Sequence, residues 1–198
     1  MRLGIYGGTF DPVHYGHLLA AEQCREQCEL DQVWFIPAAA PPHKQGHPIS
    51  AGLARAEMLE LAVAGQPHYR VDRRELERTG PSFTVDTLAD VHSADPAREL
   101  FLILGADSVA DFETWREPDR ILELATLIAI NRGRTPAELT GFRRRFGATG
   151  ERRLMHVAMP AVDLSATDIR SRVGAGRSIR FMTPRAVEAY IAQHGLYQ

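Results

Sequence analysis

Leu3-Gly4-Ile5-Tyr6-Gly7-Gly8-Thr9-Phe10-Asp11-Pro12-Val13-His14-Tyr15-Gly16-His17 is the stretch that decides the fold. Residues 3–6 form a short apolar run of the kind that makes a buried strand, and a helical pattern begins directly after His17. Strand, glycine turn and helix start thus follow one another without a linker. Paired glycines let the backbone turn sharply and approach a ligand closely. A helix start offers unpaired N–H groups and the positive end of a dipole, which together suit phosphate. His14 and His17 lie three apart at that start, so both imidazoles project toward one region, with Gly16 leaving room between them. Neither the Gly-x-Gly-x-x-Gly spacing of a dinucleotide fold nor a Walker lysine is present.

Outward from this segment, apolar runs at 32–36, 100–104, 126–130 and 154–157 read as further strands. Helical spacing covers 18–28, 53–64, 84–91, 118–125 and 136–146, with Leu53, Met58, Leu61 and Ala62 as one apolar stripe. Strand and helix alternate, which predicts an α/β fold: a Rossmann-like, mostly parallel sheet with helices on both faces and ligands at the carboxyl ends of the strands. Two closing helices are expected at 165–172 and 183–194, the latter with Thr183-Pro184 as cap and first-turn pair. The 198 residues, 44% apolar, suit one domain spanning 1–198, with 160–198 as a C-terminal helical part. Residues 37–52 hold four prolines and two glycines and read as an irregular loop over the site.

The formal charge of −2 gives no reason to expect nucleic acid or a membrane as partner, so phosphate chemistry has to be local. The single lysine, Lys44, stands in Pro41-Pro42-His43-Lys44 within the irregular loop. No apolar run approaches the roughly 18 residues of a membrane span, and no leader pattern is visible, so a cytoplasmic location is the expectation. Cys24 and Cys28 suggest no disulfide framework; a zinc site with His43 and His47 is conceivable, but half-buried cysteines and loop histidines are the simpler reading. Arg143-Arg144-Arg145 reads as a solvated helix face. Sequence leaves a homo-oligomer open.

His14-Tyr15-Gly16-His17 resembles the signature of the HxGH nucleotidyltransferases, relatives in fold of the class I aminoacyl-tRNA synthetases. Leu164-Ser165-Ala166-Thr167-Asp168-Ile169-Arg170 resembles the family's second signature, the helix start that grips a triphosphate. Physically, Ser165 and Thr167 are good caps and hydroxyl donors, and Arg170 falls one turn inside the helix, although Ser165 could be an N-cap alone. The full glycine-histidine string followed by Pro41-Pro42-His43-Lys44 is similar to bacterial nicotinate-nucleotide adenylyltransferases. So are Ser82-Phe83-Thr84-Val85-Asp86-Thr87-Leu88, Gly105-Ala106-Asp107, Trp115, Phe181-Met182-Thr183-Pro184 and Gly195-Leu196-Tyr197. Phe83 stands where the family commonly has tyrosine, and Arg116 follows Trp115 where a second aromatic is frequent.

The resemblance implies transfer of AMP from ATP to nicotinate mononucleotide, with His14, His17, Lys44 and Arg170 as the catalytic set. ATP would be bound by Gly7, Gly8, Thr9, Phe10, His14, Gly16, His17, Gly105, Asp107, Ser165, Thr167 and Arg170. The acceptor would meet Gly8, Thr9, Lys44, Phe83, Thr84 and Trp115, with backbone N–H groups near Thr84 and Trp115 receiving its carboxylate. Magnesium would be held mainly by ATP phosphates, with no protein metal site. Plainer readings stand beside these: Asp107 as a helix cap, Lys44 as a solvated lysine, Phe83 and Trp115 as core aromatics. The rival functions are adenylyl transfer to nicotinamide mononucleotide or phosphopantetheine, and a nucleotide-binding sensor that lost turnover.

Overall fold

Each apolar run expected as a strand is one, extended by a residue or more at one or both ends. The computed structural model describes residues 1–39, 49–132 and 139–198. In chain order it contains β1 (Arg2–Gly8), α1 (Tyr15–Gln27), β2 (Gln32–Pro37), α2 (Gly52–Val63), β3 (Tyr69–Val71), α3 (Arg74–Glu77), α4 (Thr84–Ala94) and β4 (Glu99–Gly105). It continues with α5 (Ala106–Ala110), a 3-10 turn (Phe112–Thr114), α6 (Pro118–Leu124), β5 (Ala125–Arg132), α7 (Thr140–Arg152), β6 (Leu154–Met159), α8 (Ala166–Gly174) and α9 (Arg185–Gln193).

The strands form one sheet in the order β3-β2-β1-β4-β5-β6, every neighbouring pair parallel. This is a Rossmann-like α/β fold, in which the chain builds outward from β1 in one direction and then from β4 in the other. Parallel strands buried on both faces explain the uninterrupted apolar runs. Along β4, Leu100, Leu102 and Leu104 pack on one face with Leu88, Ile121, Phe112 and Phe142. Phe101 and Ile103 pack on the other with Ala21, Cys24, Leu59 and Ile191.

One detail of register makes the site. β1 pairs with β4 only as far as Ile5 and Leu102. Beyond that point β1 stays with β2 through Gly8 and Pro37, and β4 stays with β5 through Gly105 and Ile130. The two central strands therefore part at their carboxyl ends, where the strand order reverses.

Four expectations are corrected. Helix α1 begins at Tyr15, which places His17 inside its first turn. In α2 the buried side chains are Arg55, Ala56, Met58, Leu59 and Val63, while Leu53 and Leu61 are exposed. The helix lies between the sheet and α9, and the residues facing those partners, rather than the most apolar ones, set its buried side. Thr183 does not cap α9, whose N-cap is Pro184; its hydroxyl donates instead to the Val13 carbonyl at 2.7 Å. Finally, β3, α3 and α5 were not expected, being too short to show a period. Helix α7 starts at Thr140, and residues 136–138 lie outside the described residues. Among the described residues no helix is long and apolar enough to cross a membrane.

Leu59 is 0% and Leu53 56% exposed. Leu59→Ala should lower unfolding free energy by about 2–5 kcal/mol, and Leu53→Ala by less than about 0.5 kcal/mol. Urea titration of the two variants compares them directly, and equal losses would contradict the assigned face.

Candidate active site

The loop from β1 to α1 is held from below by aromatic packing. Phe10, at φ 49°, turns its ring into the core against Tyr6, Phe35 and His17, with centroids 5.5, 5.7 and 5.1 Å away. A Cβ on Gly8 would come within 2.8 Å of that ring, so the second glycine is required by the aromatic beneath it. Phe10 thus offers its surroundings a backbone rather than a ring.

The same loop is tied by buried polar groups. Arg55, 1% exposed, donates to the carbonyls of Ser50 (3.0 Å), Thr9 (2.8 Å) and Ala38 (2.7 Å). Burial lowers its pKa, and the nearby Asp11 and Tyr197 act against that shift. Asp11, 3% exposed, accepts the Ser50 N–H at 3.1 Å and the Tyr197 hydroxyl at 2.6 Å. Burial, with the Asp11 bond adding to it, pushes the Tyr197 phenol well above its ordinary value.

His14 is the N-cap of α1 and is buried; His17 sits one turn on. Their rings stack at 3.8 Å between centroids and 23° between planes. The His14 backbone N–H donates to His17 Nδ1 at 3.3 Å. That bond requires a lone pair on Nδ1, so the proton of a neutral His17 ring resides on Nε2, on the far side of the ring. A Cβ on Gly16 would lie 3.0 Å from two atoms of the His14 ring, which is why the intervening residue has no side chain.

The second motif arrives from the far end of the chain. Ser165 caps α8 by accepting the Asp168 N–H at 3.1 Å. Arg170 donates to the Asp11 carbonyl at 2.8 Å and to Thr167 Oγ1 at 3.3 Å, leaving further guanidinium donors for a ligand. Thr183, through Val13, and Met182, which accepts the Tyr15 N–H at 3.1 Å, hold the backbone on either side of His14. The structure therefore brings His14, Gly16, His17 and Arg170 to one loop.

Where β1 and β4 part, a cavity of about 510 Å³ opens. Gly7, Gly8, Thr9, Phe83, Thr84, Ser108 and Trp115 line it, whereas neither histidine nor Arg170 does. The histidines lie beyond Thr9, on the α1 side of the loop. Gly105 and Asp107 lie at the end of β4 and in the first turn of α5, both exposed. Phe83 precedes the first turn of α4, and the Arg116 guanidinium stands 4.5 Å above its ring. One sequence expectation narrows here, and one residue is added. The Trp115 N–H donates to the Phe112 carbonyl at 3.1 Å and so closes the 3-10 turn, leaving the start of α4 as the clearer source of N–H donors. An acid also lines the cavity: Glu75, 9% exposed, accepts the Thr87 hydroxyl at 2.7 Å.

Lys44 and Pro41, Pro42, His43 and His47 lie outside the described residues. Cys24 and Cys28 are buried free thiols, and among the described residues no group of three or more His, Cys, Asp or Glu gathers around a cation position. Sequence reasoning missed Arg55, Glu75, the bond from Thr183 to Val13 and any role for Asp11. The signal for Arg55 was present, since it interrupts an otherwise apolar helix face.

A cytidylyltransferase-like family model matches residues 5–172. Over 198 residues the chain is 47% identical to a Thermus thermophilus protein named "Probable nicotinate-nucleotide adenylyltransferase", covering 100% of each. A Thermomicrobium roseum protein of the same name is 44% identical over 197 residues, covering 100% of this chain and 92% of its own. Plasmodium falciparum nicotinic acid mononucleotide adenylyltransferase, solved in complex with NaAD, superposes with a TM-score of 0.79 at 18% identity. That superposition covers 99% of this chain and 97% of the other, and shows a shared fold.

Tyr197→Phe removes a bond to a buried carboxylate and should cost roughly 1–3 kcal/mol. Chemical denaturation measures the loss; a neutral result would show that Asp11 is satisfied without the phenol.

Proposed function

We propose that this chain, which belongs to the nicotinate-nucleotide adenylyltransferase family of cytidylyltransferase-like proteins, transfers AMP from ATP to nicotinate mononucleotide, giving nicotinate adenine dinucleotide and pyrophosphate. The observation that carries this reading is the convergence of two motifs. The stacked His14–His17 pair and Arg170 share one loop through Asp11, beside a cavity large enough for a pyridine nucleotide.

An oxygen of the acceptor phosphate attacks the α-phosphorus in line, the bond to the β-phosphate oxygen breaks, and pyrophosphate leaves with the electron pair. No covalent enzyme intermediate is needed, so positioning and charge stabilisation supply the rate. His17 presents Nε2–H, and His14 joins it at the positive end of α1, where negative charge grows on the phosphates. Backbone groups of Gly7, Gly8, Thr9 and Phe10, with Gly16 at the helix start, take the chain close to the nucleotide. Lys44 and Arg170 neutralise the departing pyrophosphate, with Ser165 and Thr167 as hydroxyl donors beside them. Gly105 and Asp107 receive the ATP ribose.

Magnesium would be held mainly by the ATP phosphates and water, because the imidazoles and hydroxyls present here make a poor cage for a hard cation. It would withdraw charge from the β- and γ-phosphates. On the acceptor side, Trp115 and Phe83 provide aromatic surface for the pyridine. The start of α4 at Thr84 offers N–H donors that reward a carboxylate over an amide, and Gly8 and Thr9 border the acceptor phosphate.

Pyrophosphate release from ATP and magnesium, measured with a panel of mononucleotides, tests the assignment: nicotinate mononucleotide should give a higher kcat/KM than nicotinamide mononucleotide, and equal or reversed values would overturn the acceptor. His17→Ala should reduce kcat on the order of a hundredfold to a thousandfold with ATP affinity nearly kept. Near-normal turnover would remove His17 from the catalytic set.

A further inference from the structure

Glu75 is the one acid lining the acceptor cavity among the described residues, and the transfer mechanism gives it no task. It belongs to α3, which packs against β2, and its carboxyl reaches across to α4. There it accepts the hydroxyl proton of Thr87 at 2.7 Å in a buried setting. Thr84 and Thr87 lie one helical turn apart and both line the cavity, so the carboxyl sits about 5 Å along the helix from the donors at the start of α4.

The cations around Glu75 are committed elsewhere. Arg74 pairs with Asp72 at 2.8 Å, and Arg78 pairs with Asp90 while reaching Thr87 Oγ1 at 3.4 Å. Arg116, the one base in the cavity wall among the described residues, lies over Phe83 and pairs with Glu117 at 3.4 Å. Glu75 thus meets a hydroxyl where a buried carboxylate would ordinarily meet a cation.

We infer that Glu75 selects the acceptor: its carboxyl, bonded to Thr87 in the cavity wall near Thr84, discriminates a carboxylate from a carboxamide on the pyridine ring by the charge it presents there. This rests on the adenylyl-transfer reading and deepens it. Protonated, Glu75 is neutral and tolerates, or donates to, a pyridine carboxylate. Ionised, it repels that carboxylate and accepts an N–H from a carboxamide. Burial raises its pKa, with the Thr87 bond, Arg78 and Arg74 opposing and Asp72 reinforcing, so the neutral form persists to higher pH than in an exposed glutamate. Selectivity for nicotinate over nicotinamide mononucleotide is then greatest at low pH and falls as pH rises through the Glu75 pKa.

The experiment measures kcat/KM for both acceptors between about pH 4.5 and 9, at saturating ATP and magnesium, and takes their ratio. Both acceptors carry the same phosphate, so its ionisation cancels. In the wild type the ratio should fall on the order of tenfold, the effect of one unit of pKa coupling. Glu75→Gln keeps an acceptor for Thr87 but holds no charge, and its ratio should stay flat near the wild-type low-pH value. Thr87→Val removes a bond to the charged form and should move the wild-type midpoint to higher pH. Ratios that run in parallel in wild type and Glu75→Gln, or an equal loss with both acceptors at every pH, overturn the inference and leave Glu75 as a strut between α3 and α4. No turnover of either acceptor by the wild type would overturn adenylyl transfer itself, and the selectivity with it.

Discussion

Arg55 donates to backbone carbonyls from three segments: Thr9 before α1, Ala38 after β2, and Ser50 before α2. Taking a guanidinium out of water costs several kcal/mol, and it is tolerable only where its donors are met and a counter-charge is close. Asp11 supplies that charge. The carboxylate in turn needs partners, and it finds them in the Ser50 N–H and the Tyr197 hydroxyl. Two buried charges thus fix the chain around the carboxyl ends of β1 and β2, and with it the place where the histidine turn stands. Removing either charge would leave the other buried without its counter-charge, so the pair acts as a unit.

On that fixed loop, two chemically different surfaces divide along β1. The α1 side carries the stacked imidazoles and the Arg170 donors, all suited to anionic oxygen. The α4 side carries the cavity, whose walls are mostly apolar side chains, aromatics and hydroxyls. Gly8 and Thr9 stand at the boundary. Parting of β1 from β4 after Ile5 and Leu102 creates the space, and the glycines keep side chains out of it. A nucleotide lying across the strand end would meet phosphate donors on one side and a ring pocket on the other, the arrangement that in-line transfer between two nucleotides requires.

What sequence made legible was local. The glycine-histidine string, the strand runs and the Ser165 cap each depend on residues within a turn or two of one another, where side-chain chemistry and backbone period act directly. β3 is three residues long and pairs on one side only with β2, so Tyr69-Arg70-Val71 carries no readable period. The α2 stripe misled because hydrophobicity identifies a helix but not its neighbours: Arg55 is buried and Leu53 exposed for reasons that reside in other segments. Glu75 was invisible for the same cause, since its burial follows from α3 meeting α4 across Thr87.

The contacts that shape the site span the whole chain. Arg55 reaches Thr9 over 46 positions, Arg170 reaches Asp11 over 159, Thr183 reaches Val13 over 170, and Tyr197 reaches Asp11 over 186. The last three form only once α8 and α9 have docked on the sheet, and each loop closure costs entropy that only the assembled core offsets. The histidine turn is therefore not a locally stable element grafted on a scaffold. Its geometry exists only in the globally folded state, and partial opening of α8 and α9 releases Arg170, Thr183 and Tyr197 together. Local openings of this kind cost less than global unfolding, so the histidine turn is coupled to the outermost helices through three side chains as well as through the sheet that carries it.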